Sequence, residues 1–138
     1  MTVVVDASVA VKWVIPEVLS DRADALRSRT DRLLAPDFLL LEAANALWKK
    51  LIRREITARE AAYALDLLLG STLDLRPSGP LLGRALALAR RLRHPVYDCV
   101  YLALAQVEGA ALVTADRRLL AITAKPRARV TVIDLATL

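Results

Sequence analysis

The chain is poor in the residues that usually announce a chemistry. It has one cysteine, so no intrachain disulfide forms, and Cys99 sits among apolar neighbours where it reads as core packing in a reducing cytoplasm. It has one histidine, His94, placed before a proline, which leaves neither a histidine-based zinc site nor a serine–histidine triad. Aromatic residues are 4% of the chain, too few to suggest a surface on which nucleobases stack. No apolar run approaches the roughly 18 residues that span a bilayer. No basic segment followed by a long apolar one opens the chain, so no signal peptide, no membrane association and a cytoplasmic location are expected. Internal repeats, linkers and low-complexity tracts are absent as well.

What the chain has in abundance is apolar side chain. Hydrophobic residues make up 56% of 138, a length that suits one domain over 1–138 with a real core. That is oily for a chain with no membrane span, and the surplus predicts faces covered by a partner or a second copy. The net charge of +5 is unevenly placed: residues 1–80 hold 11 Lys+Arg and 11 Asp+Glu, whereas 81–138 hold 9 and 4. A basic surface suits a phosphate backbone, although Arg84, Arg90, Arg91 and Arg93 also fit an ordinary solvated helix face.

The chain is organised around Val3-Val4-Val5-Asp6-Ala7-Ser8. Consecutive valines without polar alternation predict a strand buried on both faces, as in the middle of a parallel sheet. Asp6 then stands at the strand's carboxyl end, the edge where ligands bind in open α/β sheets. The plainer alternative is that Asp6 or Ser8 caps the next helix.

Downstream, the pattern predicts a short helix from Ser8 to Val14, a helix over Ser20–Arg29 capped by Ser20, and a strand at 32–35. A long helix follows from 37 or 38 to 53 or 54. Thr57 and Glu60 form a capping box for the next, which Gly70 stops. Leu73–Arg76 reads as a strand, Leu81–Arg93 as a helix, and Tyr97-Asp98 opens a helix whose body, Cys99 to Ala105, is almost wholly apolar and so buried. Strand 111–114, helix 117–124 and strand 130–133 complete an α/β, three-layer α/β/α fold with a central parallel sheet.

Four carboxylates fall on one side of that sheet. Asp6 and Asp116 end apolar strands, and Glu42 and Asp98 lie in the first turns of helices that follow strands. Singly, each has a structural reading as a cap, a dipole partner or a turn residue. Together they would repel unless a cation stood between them. An all-oxygen set without His or Cys is the ligand chemistry of Mg²⁺ or Mn²⁺, the usual agents of phosphoryl chemistry.

The segments around these acids, Asp6-Ala7-Ser8-Val9-Ala10-Val11-Lys12-Trp13, Glu42-Ala43-Ala44-Asn45-Ala46-Leu47, Tyr97-Asp98-Cys99-Val100-Tyr101-Leu102-Ala103-Leu104-Ala105 and Val113-Thr114-Ala115-Asp116-Arg117-Arg118-Leu119, resemble the ordered motifs of PIN-domain ribonucleases. More narrowly, they resemble VapC-type toxins of toxin–antitoxin pairs, over almost the whole chain. The resemblance implies that Asp6, Glu42, Asp98 and Asp116 hold Mg²⁺ or Mn²⁺ and are the catalytic set, with Thr114, Ser8 and Asn45 as polar support. It also implies in-line attack of a metal-activated water on an RNA phosphodiester, leaving a 3'-hydroxyl and a 5'-phosphate, and a small co-encoded antitoxin as partner. Some relatives carry another acid where Arg117 and Arg118 stand here, which leaves a second metal position open. That arginine pair is the candidate RNA contact. Val9, Val11, Trp13 and Val14 with Leu39, Leu40, Leu47, Trp48 and Leu51 supply more apolar side chain than one core needs, so some of them are expected to form an exposed groove for an antitoxin helix, and other apolar faces are expected to pair two copies into a homodimer.

Three alternatives compete. A receiver-like Mg²⁺-binding phosphoacceptor domain also gathers acids at the sheet edge, and Lys125-Pro126 echoes its lysine–proline pair, but Asp6 lacks an adjacent second acid. A non-catalytic RNA-binding module follows if the carboxylates do not converge. A haloacid-dehalogenase-type phosphatase would want Asp where Ser8 stands.

Overall fold

The three valines of β1 (Thr2–Val5) are fully buried, as an unbroken β-branched run implies. β1 is the middle strand of a five-stranded, wholly parallel sheet of order β3-β2-β1-β4-β5, with β2 at Arg32–Pro36, β3 at Asp74–Arg76, β4 at Ala111–Thr114 and β5 at Val132–Asp134. Val4 is in register with Leu34 on one side and Leu112 on the other. This computed structural model describes residues 1–124 and 128–138, so the Lys125-Pro126 pair lies outside the described residues.

Helices α1 (Ala7–Ala10), α2 (Ser20–Arg29), α3 (Leu39–Ile52), α4 (Ala58–Leu69), α5 (Leu82–Leu92), α6 (Val96–Glu108) and α7 (Arg117–Thr123) flank the sheet, giving the three-layer α/β/α arrangement read from the sequence. The longest apolar stretch, Cys99 to Ala105 of α6, is buried throughout and packs on β1, β2 and β4. Gly109, at φ +61, ends α6 in the left-handed conformation that costs glycine little. The Thr57–Glu60 capping box opens α4, with both reciprocal bonds at 3.1 Å. Among the described residues, no helix is long and apolar enough to cross a membrane.

Three local expectations need correction. Ser20 does not cap α2: its hydroxyl turns back to accept from Glu17 N and donate to Ile15 O, and Leu19, at φ +69, occupies the cap position. The final strand begins at Val132 rather than at 130. The surplus apolar residues are mostly core. Val9, Val11, Leu39 and Leu47 are buried, and Trp13 is half-buried with its indole N–H donating to Ala23 O at 2.9 Å. A helix stripe at core spacing is drawn inward by the elements it packs against, which for α3 are chiefly α4 and α1. The large apolar side chains left exposed on α3 and α4 are Leu41, Trp48, Ile52, Tyr63, Leu67 and Leu69, of which Trp48 is among those expected to form a groove.

The strand order decides where a site can form. From β1 the chain moves outward through β2 and β3, then returns to β1's other side for β4 and β5. The reversal lies between β1 and β4, and a crevice opens there beyond the carboxyl ends of the strands.

Candidate active site

Asp6 follows β1 directly and is 5% exposed. Two hydroxyls and a backbone amide hold its carboxylate. Ser8 Oγ donates to Oδ1 at 2.5 Å, Val9 N donates to the same oxygen at 3.3 Å, and Thr114 Oγ1, from the end of β4, donates to Oδ2. Each hydroxyl has one proton, and both are spent on Asp6, so the 3.4 Å approach of Ser8 to Thr114 is a contact and not a further bond. Their lone pairs accept from the backbone: Ser8 Oγ from Ala115 N and Thr114 Oγ1 from Asp116 N, each at 3.0 Å. The ends of β1 and β4 are thereby stitched together through one buried acid. Asp6 also caps α1, so the helix-cap reading and the site reading describe the same side chain.

Burial pushes the Asp6 pKa up to about 6. The donors from Ser8, Thr114 and Val9 work against that rise, and the nearby charge of Asp116 adds to it. Glu42, half-buried in the first turn of α3, is raised by burial too, and the charges of Asp98 and Asp116 push in the same direction. Asp116 itself caps α7, with Oδ1 accepting from Arg118 N at 2.8 Å and Leu119 N at 3.3 Å. Asp98 lies in the first turn of α6 rather than at its cap, which Pro95 occupies.

These acids feel one another electrostatically, but each is tied to its own protein donors. Among the described residues, no three Asp, Glu, His or Cys side chains already form a metal cage. Hydrogen bonds engage Glu42 Oε1, Asp98 Oδ2 and Asp116 Oδ1, which leaves the second oxygen of each without a hydrogen bond among the described residues.

A groove of about 690 Å³ runs over the site. Ser8, Glu42, Asn45 and Asp116 line one end, and Lys12, Lys49 and Lys50 the other. Asp6 lies beneath it. Asn45 stands one turn beyond Glu42 on α3. Arg117 and Arg118 are exposed and are not part of this lining, and Arg117 pairs with Asp134 at 2.7 Å.

Residues 3–125 match the family model of the PIN domain. The chain belongs to the PIN domain family. It is 36% identical over 121 residues to Ribonuclease VapC3 of Pyrobaculum aerophilum, covering 86% of this chain and 92% of that protein. Among solved structures, PAE2754 of Pyrobaculum aerophilum aligns with a TM-score of 0.74 at 26% identity, over 99% of this chain and 85% of that one. VapC20 of Mycobacterium tuberculosis, a toxin that cleaves the sarcin–ricin loop, aligns at 0.66 and 16% identity over 86% of this chain and 93% of that one, and supports the fold alone.

In this PIN domain, two side chains that the sequence reading passed over touch the acids. The Tyr101 hydroxyl, buried in the middle of α6, donates to Glu42 Oε1 at 2.5 Å, and its ring packs against Phe38 with centroids 5.2 Å apart. Burial first, and the Glu42 charge second, raise the Tyr101 pKa above its ordinary value, in keeping with a hydroxyl that donates. His94 is buried, and its Nε2 lies 2.5 Å from Asp98 Oδ2. Tyr101 falls three residues beyond Asp98 on the same helix, a spacing that shares a face, which is the signal that could have found it.

Proposed function

We propose that this PIN domain is a Mg²⁺- or Mn²⁺-dependent endoribonuclease, the toxin of a toxin–antitoxin pair, with Asp6, Glu42, Asp98 and Asp116 as its catalytic acids. The observation that carries the reading is Asp6: a carboxylate sunk at the sheet's switch point, its pKa raised to about 6, with another acid's charge beside it. A protein keeps such a group ionised at neutral pH only at a cost, and a divalent cation removes that cost. The donor set is all oxygen, as Mg²⁺ and Mn²⁺ prefer. The second oxygens of Glu42, Asp98 and Asp116, together with Asp6, would hold the ion.

When bound, the ion supplies positive charge to the phosphate and a water of lowered pKa. The chain's own residues do the rest. Ser8 and Thr114 fix the Asp6 carboxylate, Tyr101 fixes Glu42, and Asn45 offers an amide at the groove wall where a ribose or phosphate would pass. Arg117 and Arg118 stand just beyond Asp116 as outer contacts for the RNA. Support for RNA as the substrate comes from the 36% identity to Ribonuclease VapC3, and the antitoxin partner follows from the toxin reading. The exposed face of Leu41, Trp48, Ile52, Tyr63 and Leu67 suits either an antitoxin helix or a second copy of this one-domain chain. Incubating RNA with the protein and Mg²⁺, Mn²⁺ or EDTA tests the reading: cleavage with either metal and none in EDTA is expected, and EDTA-resistant cleavage would overturn it.

A further inference from the structure

The far end of the groove holds a charge arrangement that the acids do not account for. Glu42, Asn45, Ala46, Lys49 and Lys50 of α3 all line the groove, at the spacing that keeps residues on one helix face. Lys49 lies about 10 Å along the helix axis from Glu42, close enough to take a neighbouring phosphate of a strand whose scissile phosphate sits at the acids. Lys49 is exposed and has no ion pair among the described residues. Lys12, from the turn after α1, lines the same groove and is nearly buried, its side chain 12% exposed.

One carboxylate organises that end. Glu17 Oε1 accepts from Lys12 Nζ at 3.0 Å and Oε2 from Lys50 Nζ at 2.6 Å, and Lys50 also reaches Glu55 at 3.5 Å. Lysines in the last turn of a helix complement its dipole, which explains Lys49 and Lys50. It does not explain Lys12, which belongs to another element and is kept partly desolvated at the groove wall. An ammonium has three donors and Glu17 takes one from Lys12, leaving others for an anion. Lys12, Lys49, Lys50, Glu17 and Glu55 together carry a net +1, beside acids of uncompensated negative charge.

We propose that Lys12 and Lys49 form a phosphate rest for the RNA strand at the basic end of the groove, and that Glu17, braced by Lys50, is the positioning residue that holds Lys12 there. The assignment rests on RNA being the substrate. It is tested by binding of the full chain to a fluorescein-labelled, mixed-sequence single-stranded oligoribonucleotide in EDTA, across a salt series. Lys12→Gln with Lys49→Gln should weaken binding and flatten the log–log salt slope by about 1.4, roughly 0.7 per lost phosphate contact. Arg90→Gln with Arg93→Gln removes the same net charge elsewhere and should leave the slope alone. Equal slopes in the two double variants would overturn the proposal. Lys49→Gln alone, at an exposed position, should flatten the slope by about 0.7 and serves if the Lys12 variant does not fold.

Glu17→Gln separates positioning from bulk charge by sign. Positioning predicts weaker RNA binding although the protein becomes more positive, and unchanged or tighter binding in a variant that is still folded at the assay temperature would overturn the role of Glu17. Polyglutamate that competes with RNA at equal charge concentration would assign the rest to an acidic protein instead. RNA bound through the lysines but never cut would overturn the nuclease reading and leave this one. RNA cut with no dependence on the lysines would do the reverse.

Discussion

The two ends of the groove hold carboxylates in opposite states. Burial works to raise Glu17, but the hydrogen bonds from Lys50 and Lys12 outweigh it and hold the acid below the usual range. The hydrogen bond to Glu17 in turn sets Lys50 above its own, against the modest burial that works to lower it. At the other end, burial drives Asp6 and Glu42 upward, and their charged neighbours, Asp98 and Asp116, are other acids. Hydroxyl and amide donors soften the penalty without cancelling the charge. At the basic end the carboxylate Glu17 is fully paired, and only Lys49 is left without an ion pair among the described residues. The acidic end is incomplete, and incompleteness of that kind marks a site that receives something positive.

The sharpest way to break this contrast is Asp6→Asn. Cleavage of RNA should fall by at least roughly 100-fold, while the circular dichroism spectrum is unchanged. The same variant should alter the pH dependence of stability in EDTA. Because the folded Asp6 pKa is raised to about 6, the folded state binds its proton more tightly than the unfolded chain does. The associated stability is fully present below about pH 4 and lost as pH rises through 6, a swing on the order of 3 kcal/mol. Denaturant titrations should show that swing in the native chain and not in Asp6→Asn.

Thr114→Val comes next. It removes the donor to Asp6 Oδ2 in a fully buried position, so a stability loss of about 1–3 kcal/mol is expected, with activity reduced roughly 10-fold or more. Tyr101→Phe should cost about 1–2 kcal/mol. It should also move the acid limb of the pH–rate profile to higher pH, because Glu42 loses the bond that opposes its rise. Denaturant melts and pH–rate curves check both variants.

The smallest effect is expected at the satisfied end. Glu17→Gln should cost about 1 kcal/mol, since the pairs are partly solvated. Its pH signature has the other sign: the Glu17 contribution is present above the unfolded carboxylate range and is lost as pH falls through the lowered folded value. Acid should therefore strengthen the metal-free protein at one end of the groove while weakening it at the other.

The sequence displays the acidic end better than the basic one. Asp6 is visible because three valines cannot be anything but a buried strand, and a carboxylate placed directly after them must sit at its end. Thr57 with Glu60, and Gly109, mark helix ends through purely local bonds, so α4 and α6 are placed closely. What pattern reasoning misses is set by packing between distant segments. Tyr101 meets Glu42 across 59 residues, and Arg117 finds Asp134 across 17, an ion pair that no spacing announces. The partner groove is only partly legible for the same reason, because a helix stripe does not say which of its residues distant packing will cover: Val9, Val11, Leu39 and Leu47 are buried, whereas Trp48 stays exposed. The ammonium pair on Glu17 joins a loop to the last turn of α3 and is equally invisible locally.

The claim that the acidic end awaits a cation is tested most directly by the melting temperature at pH 7.5 as Mn²⁺ is added to metal-free protein. Binding to the folded state alone raises stability by RT ln(1 + [Mn²⁺]/Kd). The account predicts a saturable rise in the native chain that is lost in Asp6→Asn and kept in Glu17→Gln. A native chain whose melting ignores Mn²⁺, or an Asp6→Asn variant that gains as much as the native chain, would contradict it.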